Sequence, residues 1–353
     1  MRTQKVFTLL LALVAIATTA RAQVVLNEKN FPDANFRAAL ASKLKISEGD
    51  VITAEKIAAT TSLFLYWKSI ANLKGIEHFT VLTRLDCTYN QLTTLDVSGC
   101  TALAELYCNN NQLTSLDVSK NTALTELDCG GNQLTSLDVS KNTALTKLDC
   151  GSNQLTSLDV SKNTALTKLD CGSNQLTLLD VTKNNALEYL HCDFNQLTSL
   201  DVSKNTALTA LYCYVNQLTA LDVSKNTALA RLDCFSNQIK GKEMDALVAS
   251  LPTVESDYFY VINTKDANEG NVCMKSQVAV AKGKGWTVYD CNYDGENWIG
   301  EVEYEGSDPS AVESIEVDAE PQNVKWYTID GVKLNGEPTK KGVYIVNGRK
   351  VVK

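Results

Sequence analysis

The sequence has little histidine and no excess of basic residues. Only two histidines, His78 and His191, occur in 353 residues, which leaves few side chains able to act as a general base near neutral pH. Lysine and arginine together number 33 against 41 acidic residues, and no basic run or aromatic RNA-binding motif offsets the repulsion from a phosphate backbone. Nucleic acid is therefore not expected as a partner.

Catalytic motifs and later membrane-spanning runs are also missing. There is no G-x-S-x-G, no H-E-x-x-H and no apolar run after the N-terminal segment that is long enough to cross a bilayer. With 44% apolar and 21% charged residues the chain has enough apolar material for a sizeable core. We expect a folded protein that is not an enzyme, has no transmembrane span and needs no cofactor.

Residues 1–22 have the organisation of a secretory signal peptide. Arg2 and Lys5 precede an apolar run over 6–17, and Ala20-Arg21-Ala22 gives the small-x-small spacing of a cleavage site before Gln23. A buried N-terminal helix is the alternative interpretation. The signal predicts a secreted or outer-cell-surface protein, and its removal leaves 30 basic and 41 acidic residues, a net charge of −11.

A 21-residue repeat determines the predicted architecture. Its copies follow the pattern of Leu124-x-x-Leu127-x-Cys129-x-x-Asn132-x-Leu134, which is the leucine-rich-repeat pattern with cysteine in the third leucine position. The cysteines of the eight copies stand at 87, 108, 129, 150, 171, 192, 213 and 234. We expect an α/β repeat fold, a right-handed leucine-rich-repeat solenoid with a parallel β-sheet on its concave face. The asparagines at the Asn132 position are expected to satisfy backbone groups where each strand ends.

The flanking segments predict caps and a tail. After the signal at 1–22 we expect a helical N-terminal cap at 23–62, repeats at 63–238 (one degenerate copy and eight regular ones), an α/β C-terminal cap at 239–305, a linker at 306–312 and a small β-module at 313–353. The C-terminal cap is expected to continue the sheet of the repeats.

The repeat with its cysteine position, together with Leu73-Lys74-Gly75-Ile76-Glu77, resembles bacterial internalin-type proteins, most closely the cysteine-laddered internalin J kind. This resemblance covers roughly residues 30–238 and implies an adhesin that binds host surface molecules through its concave face. Members of that family usually carry a wall-sorting signal, which is not found here. Instead, Trp326–Gly331 and Lys341–Val346 resemble the C-terminal sorting modules of type IX secretion, which implies sorting or anchoring by the tail.

The cysteines are expected to be structural. Thiols on adjacent strands lie near the ~4.8 Å strand spacing, beyond the ~3.8 Å Cβ separation that disulfides favour. Cys100 replaces an asparagine of later copies and is expected at the surface. Cys273 and Cys291 bracket a helix and a strand and form a candidate disulfide.

One segment matches a calcium-loop pattern letter for letter. Its candidate ligands are Asp290, Asn292, Asp294 and Glu301. A strand precedes the segment where a helix is expected, so a hairpin turn is the alternative explanation. A similar outline over 44–55 has Leu44 and Ile46 at ligand positions, so no ion is expected there.

The candidate binding site lies on the concave face, where outward strand positions vary while the rest of each copy is nearly constant. Aromatic side chains gather at both ends of this face, and the middle copies are expected to be flat and polar. The main candidate cluster is Tyr189, His191, Phe194, Tyr212, Tyr214 and Phe235. A secondary candidate cluster is Phe64, Tyr66, Trp67, Tyr89 and Tyr107. The alternative for this cluster is that the N-terminal cap covers it. Packing between neighbouring strands would also explain aromatic residues here.

The sequence therefore predicts a monomeric, adhesin-like binding protein that recognises an extracellular protein or glycan. A self-associating structural surface protein is a second hypothesis, based on the repeated convex lysines and aspartates. A polysaccharide-active enzyme is a third, based on the stacked carboxylates Asp128, Asp149 and Asp170, beside which no cleft is expected.

Overall fold

The computed structural model describes residues 23–292, 302–308, 326–328, 334, 343–346 and 349–352. The chain divides into two compact units, one ending at Gly306 and the other beginning at Ser307. The signal segment 1–22 and residues 309–312 of the linker lie outside the described residues.

The N-terminal cap combines a two-stranded antiparallel sheet with two helices. Strands β1 (Val24–Val25) and β2 (Val51–Ile52) pair antiparallel. Helix α1 (Ala34–Leu44) lies between them in the chain, and helix α2 (Ala54–Ala59) follows β2. Each helix begins after a side chain that accepts a hydrogen bond from the first turn, Asp33 for α1 and Thr53 for α2. The other carboxylate oxygen of Asp33 accepts the N–H of Ala71 at 2.8 Å, which ties the cap to the first repeat.

The repeats form nine parallel strands of three residues. They are β3 (Ser62–Phe64), β4 (Arg84–Asp86), β5 (Glu105–Tyr107), β6 (Glu126–Asp128), β7 (Lys147–Asp149), β8 (Lys168–Asp170), β9 (Tyr189–His191), β10 (Ala210–Tyr212) and β11 (Arg231–Asp233). Equivalent residues of successive copies are direct neighbours, as Leu127 and Leu148 are. The central leucine of each strand is buried, because alternate strand residues face opposite sides of a sheet. The leucine-rich-repeat solenoid predicted from the 21-residue period is confirmed.

A ladder of asparagines joins each copy to the next. The side-chain amide of Asn132 donates to the carbonyls of Cys129 at 3.0 Å and of Cys108, in the preceding copy, at 3.1 Å. Its Oδ1 accepts the N–H of Leu113 at 3.0 Å. This side chain thus satisfies three buried backbone groups, as the repeat pattern predicts.

A second asparagine ladder runs through the interior on the convex side. The amide of Asn142 donates to the carbonyls of Val118 at 3.0 Å and Asn121 at 2.9 Å, and the later copies repeat this pattern. Cys100 occupies the equivalent position one copy before Asn121 and is fully buried, with its Sγ 3.4 Å from the carbonyl oxygen of Ile76. The expectation that Cys100 is exposed is wrong, because its position lies inside the solenoid.

The C-terminal cap extends the sheet of the repeats. It contains α3 (Lys242–Ser250), β12 (Asp257–Ile262), α4 (Lys275–Gly283), β13 (Trp286–Asp290) and β14 (Val302–Glu303). Strands β12 and β13 join β11 in parallel, and β14 pairs antiparallel with β13, which gives twelve strands in one sheet. Asn271 extends the first asparagine ladder by donating to Cys234 O at 2.8 Å and accepting the N–H of Ile239 at 2.8 Å.

The second unit contains three antiparallel strands in the order β15 (Trp326–Thr328), β16 (Val343–Val346) and β17 (Arg349–Val352). In the described part of the whole chain, none of the helices has the length and apolar character needed to cross a membrane.

Candidate functional site

The solvent-facing side of the sheet, here called the concave face, is built from continuous rows of side chains. One row runs Asp128, Asp149, Asp170, His191 and Tyr212 on five consecutive strands. Neighbours in such a row lie ~4.8 Å apart along the backbone. Each row therefore brings together residues that are 21 positions apart in sequence.

The N-terminal aromatic cluster is open to solvent. Phe64, Tyr66, Trp67 and Tyr89 are 45–69% exposed, with Trp67 the highest. The rings of Trp67 and Tyr89 stack with centroids 4.3 Å apart. Burial of this cluster beneath the cap, the alternative considered from sequence, is therefore wrong. The fifth member, Tyr107, is partly covered by the Arg84 guanidinium, which lies 4.7 Å from its ring centroid.

Trp67 and Tyr89 also occupy an unusual backbone position. Both have left-handed backbone conformations, with φ of 55° and 51°, at the position after the strand where the middle copies have Gly131 or a serine. This conformation is uncommon for residues other than glycine and asparagine. The turn sets the direction in which the Cα–Cβ bond of each residue leaves the sheet, and the two rings stack on each other there.

The C-terminal aromatic cluster is exposed only in part. Tyr189 and Phe194 are 39% and 40% exposed. The rings of His191 and Tyr212 lie 3.9 Å apart between centroids, and those of Phe194 and Tyr214 lie 5.4 Å apart. The structure thus pairs rings of this cluster that belong to neighbouring copies.

Phe235 does not belong to this exposed surface. It is 2% exposed, stacks on Tyr214 with centroids 4.5 Å apart and packs against Tyr260 and Cys291. The adjacent Ser236 Oγ donates to Asp266 of the cap at 2.6 Å. The prediction that Phe235 faces solvent is wrong, because the C-terminal cap closes over the last repeat. The repeat pattern ends at 238 and gives no indication of which loop returns to cover that position.

Several cations that the sequence did not single out lie on the aromatic rings. Lys168 Nζ is 4.8 Å from the centroid of Tyr189. The guanidinium of Arg231 lies between Tyr212 and Tyr260, at 5.1 and 4.9 Å, and pairs with Asp233 at 3.0 Å. For Lys168 and Tyr189 the available signal was their spacing of 21 residues, which makes them direct neighbours on adjacent strands. These contacts place cationic side chains against the rings of Tyr189, Tyr212 and Tyr260.

The middle of the face is a depression, which corrects the expectation of a flat surface without a cleft. Two adjoining cavities of about 350 and 310 Å³ share Asp128, Asp149, Asp170 and His191 among their lining residues. The first reaches Asp193, and the second is bounded by Tyr107 and Tyr189.

The carboxylates of this depression have raised pKa values. Burial, reinforced by the neighbouring Asp149 carboxylate, raises the pKa of Asp128 to about 7. Burial and Asp170 raise the pKa of Asp149 to about 6, and the same two causes raise the pKa of Asp193 to about 6. Burial lowers the pKa of His191, whose Nδ1 lies 3.9 Å from carboxylate oxygens of both Asp170 and Asp193.

The calcium-loop pattern falls on the connection between β13 and β14. Asp290 accepts hydrogen bonds from the backbone N–H groups of Asn292 and Thr264, each at 3.0 Å, and so holds the start of this connection and joins it to the segment after β12. The antiparallel pairing of the two strands agrees with the hairpin alternative. Asp294 and Glu301 lie outside the described residues. Among the residues that are described, no group of three or more His, Cys, Asp or Glu side chains is placed to bind a metal ion.

The candidate disulfide stays a prediction. Cys273 and Cys291 are both fully buried, but Cys273 belongs to the main hydrophobic core and Cys291 to the small cluster around Phe235.

Known proteins share this repeat and its geometry. The family described as "Leucine Rich repeats (2 copies)" matches residues 80–121 and 122–163. Internalin J of Listeria monocytogenes is 48% identical over 68 residues, which are 19% of this chain and 7% of that protein. The solved functional domain of internalin J, described as including a cysteine ladder, is 41% identical with a TM-score of 0.66. The repeats of this chain therefore form a leucine-rich-repeat domain that is similar to that of internalin J.

That likeness covers 75% of this chain and 56% of the solved internalin J domain. A second solved internalin of Listeria monocytogenes (inlF) is 22% identical with a TM-score of 0.52. The match covers 74% of this chain and 89% of the inlF chain, and it shows that the two share a fold. Internalin-type leucine-rich-repeat proteins are generally protein-binding, surface-associated or secreted, and typically non-enzymatic.

Proposed function

We propose that this protein is a secreted or cell-surface, adhesin-like binding protein that recognises an extracellular host protein or glycan through its concave face. The observation that carries the proposal is the exposure of large aromatic rings at both ends of this face, Trp67 and Tyr89 at one end and Tyr189 and Phe194 at the other. Exposed aromatic side chains are favourable contacts for protein partners and for sugar rings, since they supply large area at low cost in conformational entropy.

The backbone places three of these rings at equivalent positions of the repeat. Three of these rings, those of Trp67, Tyr89 and Phe194, stand at left-handed positions with φ of 47–55°. The turn could be made more easily by glycine or asparagine, as in the copies with Asn110 and Gly131. The copies with Ser152, Ser173 and Val215 have the same conformation, so the repeat sets it and places the three rings at equivalent positions along the face.

The test is a binding screen of the mature protein against host extracellular proteins and a glycan array, with two double variants. Trp67→Ala with Tyr89→Ala removes the N-terminal rings, and Tyr189→Ala with Phe194→Ala removes the C-terminal ones. We expect a ligand found in the screen to lose at least tenfold in affinity with one or both variants, about 1.4 kcal/mol or more.

Leu178→Ala is the matched control, because Leu178 is a large, 67% exposed side chain outside the aromatic clusters. Circular dichroism should show that all variants stay folded. If both aromatic variants bind the ligand as tightly as the wild-type protein does, the binding site is not formed by these concave-face rings.

The remaining parts of the chain are assigned on the same basis. We propose that residues 1–22 direct secretion, that 313–353 act in sorting or anchoring, and that the binding domain acts as a monomer. Mass spectrometry of the protein recovered from the organism that produces it would show whether both terminal segments are removed. Light scattering would report its oligomeric state.

A further inference from the structure

The depression on the concave face forms a continuous acidic strip, here called the acidic trough and defined by Asp128, Asp149, Asp170 and Asp193. The first three stand on adjacent strands in register, and Asp193 lines the same cavity. Four strands at ~4.8 Å intervals give the strip a length on the order of 14 Å. This matches about four residues of an extended peptide.

The trough carboxylates lack strong compensating charge within the fold. Asp149 and Asp170 each accept one hydrogen bond, from the N–H groups of Gly151 and Gly172 at 3.0 Å. In the described part of the chain, no lysine or arginine forms an ion pair with Asp128, Asp149, Asp170 or Asp193, and the nearest imidazole nitrogen is His191 Nδ1 at 3.9 Å. The lysines of the same strands are engaged elsewhere, Lys147 with Glu126 at 3.0 Å and Lys168 over Tyr189.

A neutral acceptor in the same cavity also lacks a donor. Asn109 lines the trough at its N-terminal end, and its Oδ1 is buried without a hydrogen-bond partner among the described residues. Leaving a buried acceptor unsatisfied is unfavourable. A ligand with several N–H donors would satisfy both this oxygen and the carboxylates.

Glycines keep the floor of the trough open. A Cβ atom added to Gly130 would come within 2.9 Å of Asp149 Oδ1, and one added to Gly151 would come within 3.0 Å of Asp170 Oδ1. Asp128, Asp149 and Asp170 are therefore each followed two positions later by glycine, the smallest residue. This combination makes space beside the charge, which a compact metal ion would not need.

We infer that the acidic trough docks a basic polypeptide segment of the partner, with lysine or arginine side chains directed at the carboxylates. The inference rests on the proposed function and adds the chemistry of the partner. Its grounds are charge complementarity, the length of the strip and the open cavity beside it. Guanidinium and ammonium groups supply multiple donors to carboxylates, and guanidinium can pair with them bidentately.

The test measures binding of fluorescein-labelled hexa-arginine to the full-length protein by fluorescence anisotropy at low and at moderate ionic strength. Hexaglutamate of the same length and a chitosan oligomer are compared with it. We expect hexa-arginine to bind and hexaglutamate not to bind, with affinity falling as salt screens the attraction. Asp149→Asn with Asp170→Asn should weaken hexa-arginine binding at least tenfold.

The matched control is Asp138→Asn with Asp159→Asn. These carboxylates are fully exposed, lie in neighbouring copies and accept the N–H groups of Ser140 and Ser161 at 2.8 Å. The control removes the same two charges, and we expect less than a twofold change. Equal loss in both variants would assign the binding to net charge and overturn the inference.

Two further outcomes would also overturn it. If hexa-arginine fails to bind the wild-type protein, the partner is not basic; a host ligand that still depends on Trp67 or Tyr189 would leave the proposed function intact. If chitosan binds the trough and hexa-arginine does not, the partner is an amino sugar rather than a polypeptide.

Discussion

At the scale of single residues, side chains with the same chemistry act differently according to their position in the repeat. Asp138 and Asp149 belong to neighbouring copies, but a backbone hydrogen bond from Ser140 lowers the pKa of Asp138 whereas burial raises that of Asp149. The repeat pattern predicts which residue is at each position. It does not predict how much solvent remains around a carboxylate, because neighbouring copies decide that.

Asp149→Asn should change stability in a pH-dependent way. The folded-state pKa of Asp149, about 6, exceeds the ~3.9 of an unfolded aspartate, so the folded chain binds more protons between those values. Its contribution to stability is therefore present below pH ~4 and is lost as the pH rises through ~6. Relative to wild type, we expect the variant to gain about 1–2 kcal/mol at pH 8, after allowance for solvent screening, and nothing at pH 4.

Urea unfolding at both pH values measures this difference. Asp138→Asn is the control, and it should show no gain at pH 8 because the pKa of Asp138 is lowered. A gain for Asp149→Asn that is the same at both pH values would contradict the electrostatic explanation.

At the scale of secondary-structure elements, the C-terminal cap determines which concave-face residues are available. The strand pattern alone treats Phe194 and Phe235 as equivalent outward positions. The structure leaves Phe194 40% exposed and buries Phe235, because Tyr260 of β12 and the loop containing Asp266 cover the last repeat.

The two phenylalanines should therefore respond differently to truncation. Phe235→Ala removes a buried ring from a packed cluster and should lower the free energy of unfolding by about 3–5 kcal/mol. Phe194→Ala should lower it by less than ~1 kcal/mol, since its ring already contacts solvent. Equilibrium denaturation of the two variants tests this, and equal effects would show that Phe235 is not enclosed by the cap.

At the scale of the whole molecule, the repeats form one continuous interior in which each copy contacts its neighbours. Nine cysteines lie within it, all fully buried: Cys87, Cys100, Cys108, Cys129, Cys150, Cys171, Cys192, Cys213 and Cys234. Burial raises the pKa of the Cys100 thiol to about 12 and raises those of the eight ladder thiols as well.

These nine thiols should resist alkylation at pH 8 until the solenoid unfolds. With a pKa of about 12, Cys100 is a thiolate in only about 1 molecule in 10⁴ at this pH, and its sulfur is also shielded from reagent. Mass spectrometry after iodoacetamide treatment along a urea gradient should show modification rising with the unfolding transition. Rapid modification of any of the nine in native protein would show local opening of that copy.

The sequence by itself determined the repeat, the parallel strand register, the first asparagine ladder and the inertness expected of the cysteine ladder. It could do so because a fixed period of 21 residues puts equivalent positions of successive copies side by side. Each copy also needs a neighbouring copy to bury its apolar face. The tertiary structure alone decided that Phe235 and Cys100 are buried, that Trp67 and Tyr89 are exposed, and that the aspartates border a cavity. These features depend on how far each cap extends over the repeats and on the volume left between neighbouring side chains. A repeat pattern predicts neither of these two quantities.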